Sequence, residues 1–173
     1  MTHASRDEIV SELNELLEAE RAGARVSASL LAEAKGGGFE DLAHTIHDDE
    51  VHWARALFEA LRELGAEPSD KVGDFYDRAM AIGGFEARLA FTNRGQGWVV
   101  RKLRELIPRV DEPRLHDTLQ SMLDATSSTS TPPIRRWRPP ARRRGERRWS
   151  KSERYGGRRG ARTPDLLGVN QAL

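Results

Sequence analysis

The chain has 173 residues, of which 32% are charged and 6% aromatic, and it contains no cysteine. That length suits one ordinary domain, and the composition is poor in the residues that strands favour. The missing thiols exclude disulfides, thiolate metal sites and cysteine nucleophiles.

The net charge of +1 hides a division. Residues 1–126 carry 15 basic and 24 acidic side chains, whereas residues 127–173 carry 13 and 3. A chain so divided reads as two objects, a helical part over 1–126 and a tail over 127–173. No run approaches the roughly 18 apolar residues of a membrane span, and the N-terminus lacks a basic-then-apolar signal pattern. A cytoplasmic location without a membrane partner is the expectation.

In chain order, the first helix is predicted over Arg6–Ala34. Ser5 followed by Glu8 forms a capping-box signature, and Leu13, Leu17, Ala24 and Leu31 share a face. Gly36-Gly37-Gly38 stops it; these glycines lack the spacing of a phosphate loop. The second helix is predicted over Phe39–Leu64, with the stripe Leu42, Ile46, Trp53, Leu57, Ala60 and Leu64, ended by Gly65 and Pro68. The third is predicted from Asp74 to Leu106, with a bend or short break where Gly83-Gly84 and Gly95/Gly97 interrupt it. The fourth starts near Asp111, accepts Pro113 in its first turn, and presents Leu115, Leu119, Met122 and Leu123. After Thr126 the pattern stops in a Ser/Thr/Pro run, followed by an Arg/Pro/Gly/Trp-rich tail whose composition predicts disorder.

Each of the first three predicted helices carries an acid within its apolar stripe: Glu20, Asp49 with Glu50 at its edge, and Glu86, which Asn93 and Gln96 follow in line. Burying a lone carboxylate costs several kcal/mol unless a proton, a partner charge or a metal compensates it. At about 1.5 Å of rise per residue, Glu20, Asp49 or Glu50, and Glu86 fall within about one turn of a common level in an antiparallel bundle. Asp49 and His52, at i and i+3, form an Asp-x-x-His version of the pair used by di-metal carboxylate bundles. Such donors suit iron or manganese. The same height rule places the fourth helix's contribution near residues 126–133, where no Glu-x-x-His stands. The competing reading is a metal-free polar core, in which the acids pair with Arg21, Arg88 or His52, or bond to Asn93 and Gln96. His44 and His47 offer a weaker i, i+3 pair on the flank of the second helix, and His3 and His116 read as surface residues.

Residues 7–125 resemble the ferritin-like superfamily, and more narrowly a bacterial ferritin-like branch of unknown function. The segments that carry the resemblance are 13–24, Asp49-Glu50-Val51-His52-Trp53, Val72-Gly73-Asp74-Phe75-Tyr76-Asp77-Arg78-Ala79-Met80-Ala81-Ile82, and 89–103 with its Asn93-Arg94-Gly95-Gln96-Gly97-Trp98. The resemblance implies an all-α antiparallel four-helix bundle, here with a truncated fourth helix and a disordered basic tail. It also implies metal ligands at Glu20, Glu86, and Asp49 or Glu50 with His52. His52 stands where the branch commonly has arginine, and the branch continues its fourth helix with His and Glu just after residue 125, where this chain departs. The tail resembles GC-rich DNA translated in a shifted frame.

The expected function is therefore a metal-binding, di-iron-type helical bundle, with a metal-free structural or interaction module as the alternative. Met80, Phe91 and Trp98 form a second apolar line on the third helix that must be buried, which makes a homodimer plausible. The tail, with Trp137, Trp149 and Tyr155 among its basic residues, predicts salt-sensitive, sequence-blind nucleic-acid binding as a third reading.

Overall fold

Helix α1 (Arg6–Ala34) starts where Ser5 and Glu8 cap each other. The Glu8 N–H donates to Ser5 Oγ (3.3 Å) and the Ser5 N–H donates to Glu8 Oε2 (2.8 Å), so two of the helix's orphan donors are satisfied. The structure is a computed structural model that describes residues 4–129. His3, the segment 130–173 and the expectations placed on them lie outside the described residues. All regular structure among the described residues is helical.

The helix α2 (Glu40–Glu63) returns along α1. Arg6 Nη2 donates to the Leu64 carbonyl (2.7 Å) at one end of the pair, and Ser27 Oγ meets His47 Nδ1 (3.2 Å) toward the other, so the two run antiparallel. A connection over residues 64–84 follows, carrying the short helix α3 (Phe75–Met80). Ser69 pins it to α1: its N–H donates to Asn14 Oδ1 (2.6 Å), its Oγ donates to Glu18 Oε1 (2.5 Å), and its carbonyl accepts from Arg21. Helix α4 (Phe85–Leu106) begins after Gly84, whose φ of +93° suits glycine alone. Lys102 Nζ bridges Glu12 and Glu15 at 2.6 Å each, and Arg88 pairs with Glu33, so α4 is antiparallel to α1 and runs the same way as α2. After a 3-10 turn, Ile107–Arg109, helix α5 (Pro113–Thr129) folds back onto α4 and also touches α2.

Two expectations on the elements need correction. The third predicted helix is two helices: the break expected at Gly83-Gly84 is present over residues 81–84, but the chain stays helical through Gly95 and Gly97, where an interruption is also expected from the sequence. The fourth does not stop at Thr126 but continues to Thr129, because Ser and Thr are weak helix formers rather than breakers. Ser128 Oγ donates back to the Ala125 carbonyl (2.7 Å) within that last turn.

The apolar core is in two parts. The larger joins Leu13, Leu16 and Leu17 of α1 to Leu57 and Leu61 of α2, Leu103 and Leu106 of α4, and Leu115, Leu119 and Met122 of α5. The smaller joins Val26 and Leu30 of α1 to Ala79 of α3 and Leu89 of α4. Between them, at one level on three helices, lies a polar layer: Glu20 on α1, Glu50 on α2, and Thr92 with Gln96 on α4. The second apolar line of α4 is largely covered by its own chain, since Phe75 of α3 stacks on Phe91 (4.8 Å between ring centres, 19° between planes). Among the described residues Val51 is the one large apolar side chain that is exposed.

Candidate functional site: a buried carboxylate pair

The centre of the polar layer is built by three helix positions. Glu20 stands on the core face of α1, one turn past Leu16 and Leu17, and is 2% exposed. Glu50 stands on the core face of α2 in line with Ala43, Ala54, Leu57 and Leu61, and is 3% exposed. Gly23, one turn beyond Glu20, leaves the space that the Glu50 carboxyl group fills; a Cβ on Gly23 would overlap it. Gln96 Nε2 on α4 donates to Glu50 Oε1.

Electrostatics follow from that burial. Desolvation raises Glu20 well above the ordinary carboxyl range, and the charge of Glu50 and the hydrogen bond to it raise it further. Desolvation pushes Glu50 up to about 8, although the hydrogen bonds it accepts from Glu20 and Gln96 oppose the shift. Glu20 Oε1 is buried without a hydrogen-bond partner, which at about 1–3 kcal/mol is a real cost. The pair forms the inner wall of a cavity of about 480 Å³ between α1, α3 and α4.

Not all the residues predicted for the site meet there. Glu20, Glu50 and Gln96 converge. Asp49 is half-buried at the edge of α2, where desolvation raises its carboxyl group and the neighbouring His52 opposes the shift. His52 is exposed, edge-on against Trp53 (4.5 Å between ring centres, 78°). Asn93 is half-buried and does not line the cavity.

Glu86 is exposed, contrary to its predicted place within an apolar stripe. The break at 81–84 makes it the second residue of α4 rather than a residue deep inside a continuous helix, about three turns before Gln96. His44 is exposed, and His47 is held by Ser27. Among the described residues no three His, Asp or Glu side chains gather as a metal cluster. The residue that the sequence underplayed is Glu50, assigned to the edge of its stripe.

A protein whose described residues form only helices, with two carboxyl groups side by side in the core, is the class that these features define. The chain belongs to the family described as Domain of unknown function (DUF6306), which matches residues 7–130. No curated protein and no solved structure matches it. No described helix is long and apolar enough to cross a membrane.

Proposed function

We propose that this chain is a ferritin-like four-helix bundle that binds one hard divalent ion, iron or manganese, between Glu20 and Glu50. The helix arrangement supports the bundle. Each of α1, α2, α4 and α5 touches two of the others, α1 is antiparallel to α2 and α4, and the long connection 64–84 joins two helices that run the same way. The observation that carries the ion is Glu20 Oε1, a buried oxygen with no partner beside a second buried carboxyl group.

A full di-iron set does not fit these residues, because His52 and Glu86 lie on the surface. The donors that fit are the carboxylates of Glu20 and Glu50 and the side-chain oxygen of Gln96, with water from the cavity for the remaining positions. Such an ion supplies the positive charge that two buried carboxylates otherwise lack. Its binding must displace protons, so uptake rises with pH.

The test is the metal content of the full chain after anaerobic loading with iron or manganese and desalting. One ion per chain, lost in Glu20→Gln and in Glu50→Gln, is the expected result. A folded protein with no bound ion overturns it and leaves the second reading, a metal-free module held by a buried polar network. The donation from Gln96 to Glu50 favours that second reading, since it satisfies Glu50 without an ion.

A further inference from the structure

The cavity beside the carboxylate pair is much larger than one ion requires. Its volume of about 480 Å³ lies in the range of sites for small organic molecules, whereas one water claims roughly 30 Å³. Phe75, Phe91, Trp98 and Val99 give it apolar walls, and the inner wall is acidic. Gly95 belongs to this construction: a Cβ there would come within 2.7 Å of the Phe75 ring that closes one side.

The charges around the cavity are not equivalent. Glu15 is held by Lys102 (2.6 Å), Glu18 accepts from Ser69 Oγ (2.5 Å), and Asp74 lies 4.0 Å from Arg78. Arg78 and Arg94 are exposed, 5.6 and 5.5 Å from the centre of the Phe91 ring, and therefore stand at the mouth. At the inner wall Glu20 is almost wholly buried, and its Oε1 lacks a hydrogen-bond partner. An acceptor buried beside a second acid calls for a donor that brings positive charge, and the apolar walls call for a body that excludes water.

We propose that the cavity binds a primary organic amine with a flat apolar body, its ammonium group seated at the inner wall that Glu20 and Glu50 form and its body lying against Phe75, Phe91 and Trp98. The two arginines oppose a second cation, so the outer end of the molecule is neutral or anionic. This goes beyond the single-ion reading and does not depend on it, because amine and ion compete for the same carboxylates.

The experiment is calorimetric titration of the full chain, in EDTA, with phenethylamine, 2-phenylethanol and 3-phenylpropionate, which share a ring and a two-carbon spacer. Phenethylamine is expected to bind one per chain, and 2-phenylethanol about tenfold more weakly, the difference that one charge-assisted hydrogen bond makes. Glu20→Gln weakens phenethylamine by a similar factor. Ala19→Phe, which fills the cavity from α1, abolishes its binding, with Ala19→Leu in its place if the larger side chain prevents folding. The basic residues beyond 126 repel an amine, so they do not imitate this result. No binding of phenethylamine, equal binding of all three probes, preference for 3-phenylpropionate, or indifference to the filled cavity overturns the proposal. Manganese uptake, measured on the same proteins without amine, separates the two readings: amine binding without uptake overturns only the ion.

Discussion

Glu20 and Glu50, both buried, face each other across the α1–α2 hairpin, and burial raises both carboxyl groups above their ordinary range. The contact exists because Gly23 lets α2 bring a carboxyl group against the α1 backbone, where any other residue would exclude it. It places a proton-dependent joint between the two apolar clusters of the core.

In EDTA that joint makes stability fall with rising pH. The ordinary value for both groups is 4.5, so the unfolded chain has lost these protons where the folded chain still holds them. The folded chain then binds more protons, and its stability is fully present below about 4.5 and is lost as pH rises through the folded values, about 8 for Glu50. Asp49, raised by burial, adds in the same sense. Glu8, lowered by its hydrogen bonds from Ser5, acts below this window. The melting temperature is expected to drop on the order of 5 °C between about pH 5.5 and pH 8, and Glu50→Gln removes part of the slope, because burial still raises Glu20. A flat profile in the unsubstituted chain sinks the raised pair.

The two glycines of similar helical setting predict opposite signs. Glycine inside a helix costs about 1 kcal/mol relative to alanine. Gly97→Ala meets only Arg101 Nη1 at 3.8 Å and is expected to stabilise by up to about that amount. Gly23→Ala pushes into the Glu50 carboxyl group and is expected to destabilise by about 1–3 kcal/mol. Urea denaturation of both variants checks this; stabilisation by Gly23→Ala would mean that Glu50 does not occupy that space.

Much of this architecture is legible in the sequence, and the failures have specific causes. The capping pair Ser5 and Glu8, the end of α1 at Ala34 and the break at Gly83-Gly84 follow from local chemistry that tertiary contacts do not alter. The face of α2 was harder. Of its predicted stripe, Leu42, Ile46 and Trp53 are half-buried, while Ala43, Glu50 and Ala54 are buried beside Leu57 and Leu61. Close approach to α1 selects small side chains, so a stripe drawn through the bulkiest residues is rotated and moves Glu50 to an edge. Glu86 lies away from its predicted level because a height counted across the break at 81–84 has no meaning. Gln96 was legible as a polar residue in line with apolar ones, but its partner was not.

Arg88 and Glu33 predict how the upper half of the molecule is held. Arg88 is buried, pairs with Glu33 near the end of α1, and donates through Nη2 to the Ile82 carbonyl (3.1 Å) in the break before α4. Glu33→Gln leaves the guanidinium without its counter-charge. Since the Glu33 side chain is 41% exposed, solvent screens part of the loss, and about 1–2 kcal/mol is expected rather than the larger cost of a fully buried pair. Hydrogen exchange should quicken at residues 79–90 before it does in the larger core. Uniform quickening would show that Arg88 does not serve this end of α4 in particular.

Gln96→Glu sets the ion and the proton against each other. In EDTA at pH 8 the substitution removes the N–H that Glu50 accepts and adds a third acid to the layer, which is expected to cost about 1–3 kcal/mol. The cost shrinks toward pH 5.5, where the added carboxyl group is more readily kept neutral. With manganese present the same substitution supplies a third anionic donor, so uptake is expected to tighten and the lost stability to return by mass action. A variant as stable as the parent at pH 8 would mean that the Gln96 N–H contributes nothing to Glu50. A destabilised variant that takes up no more manganese would remove position 96 from the donor set and favour the metal-free network.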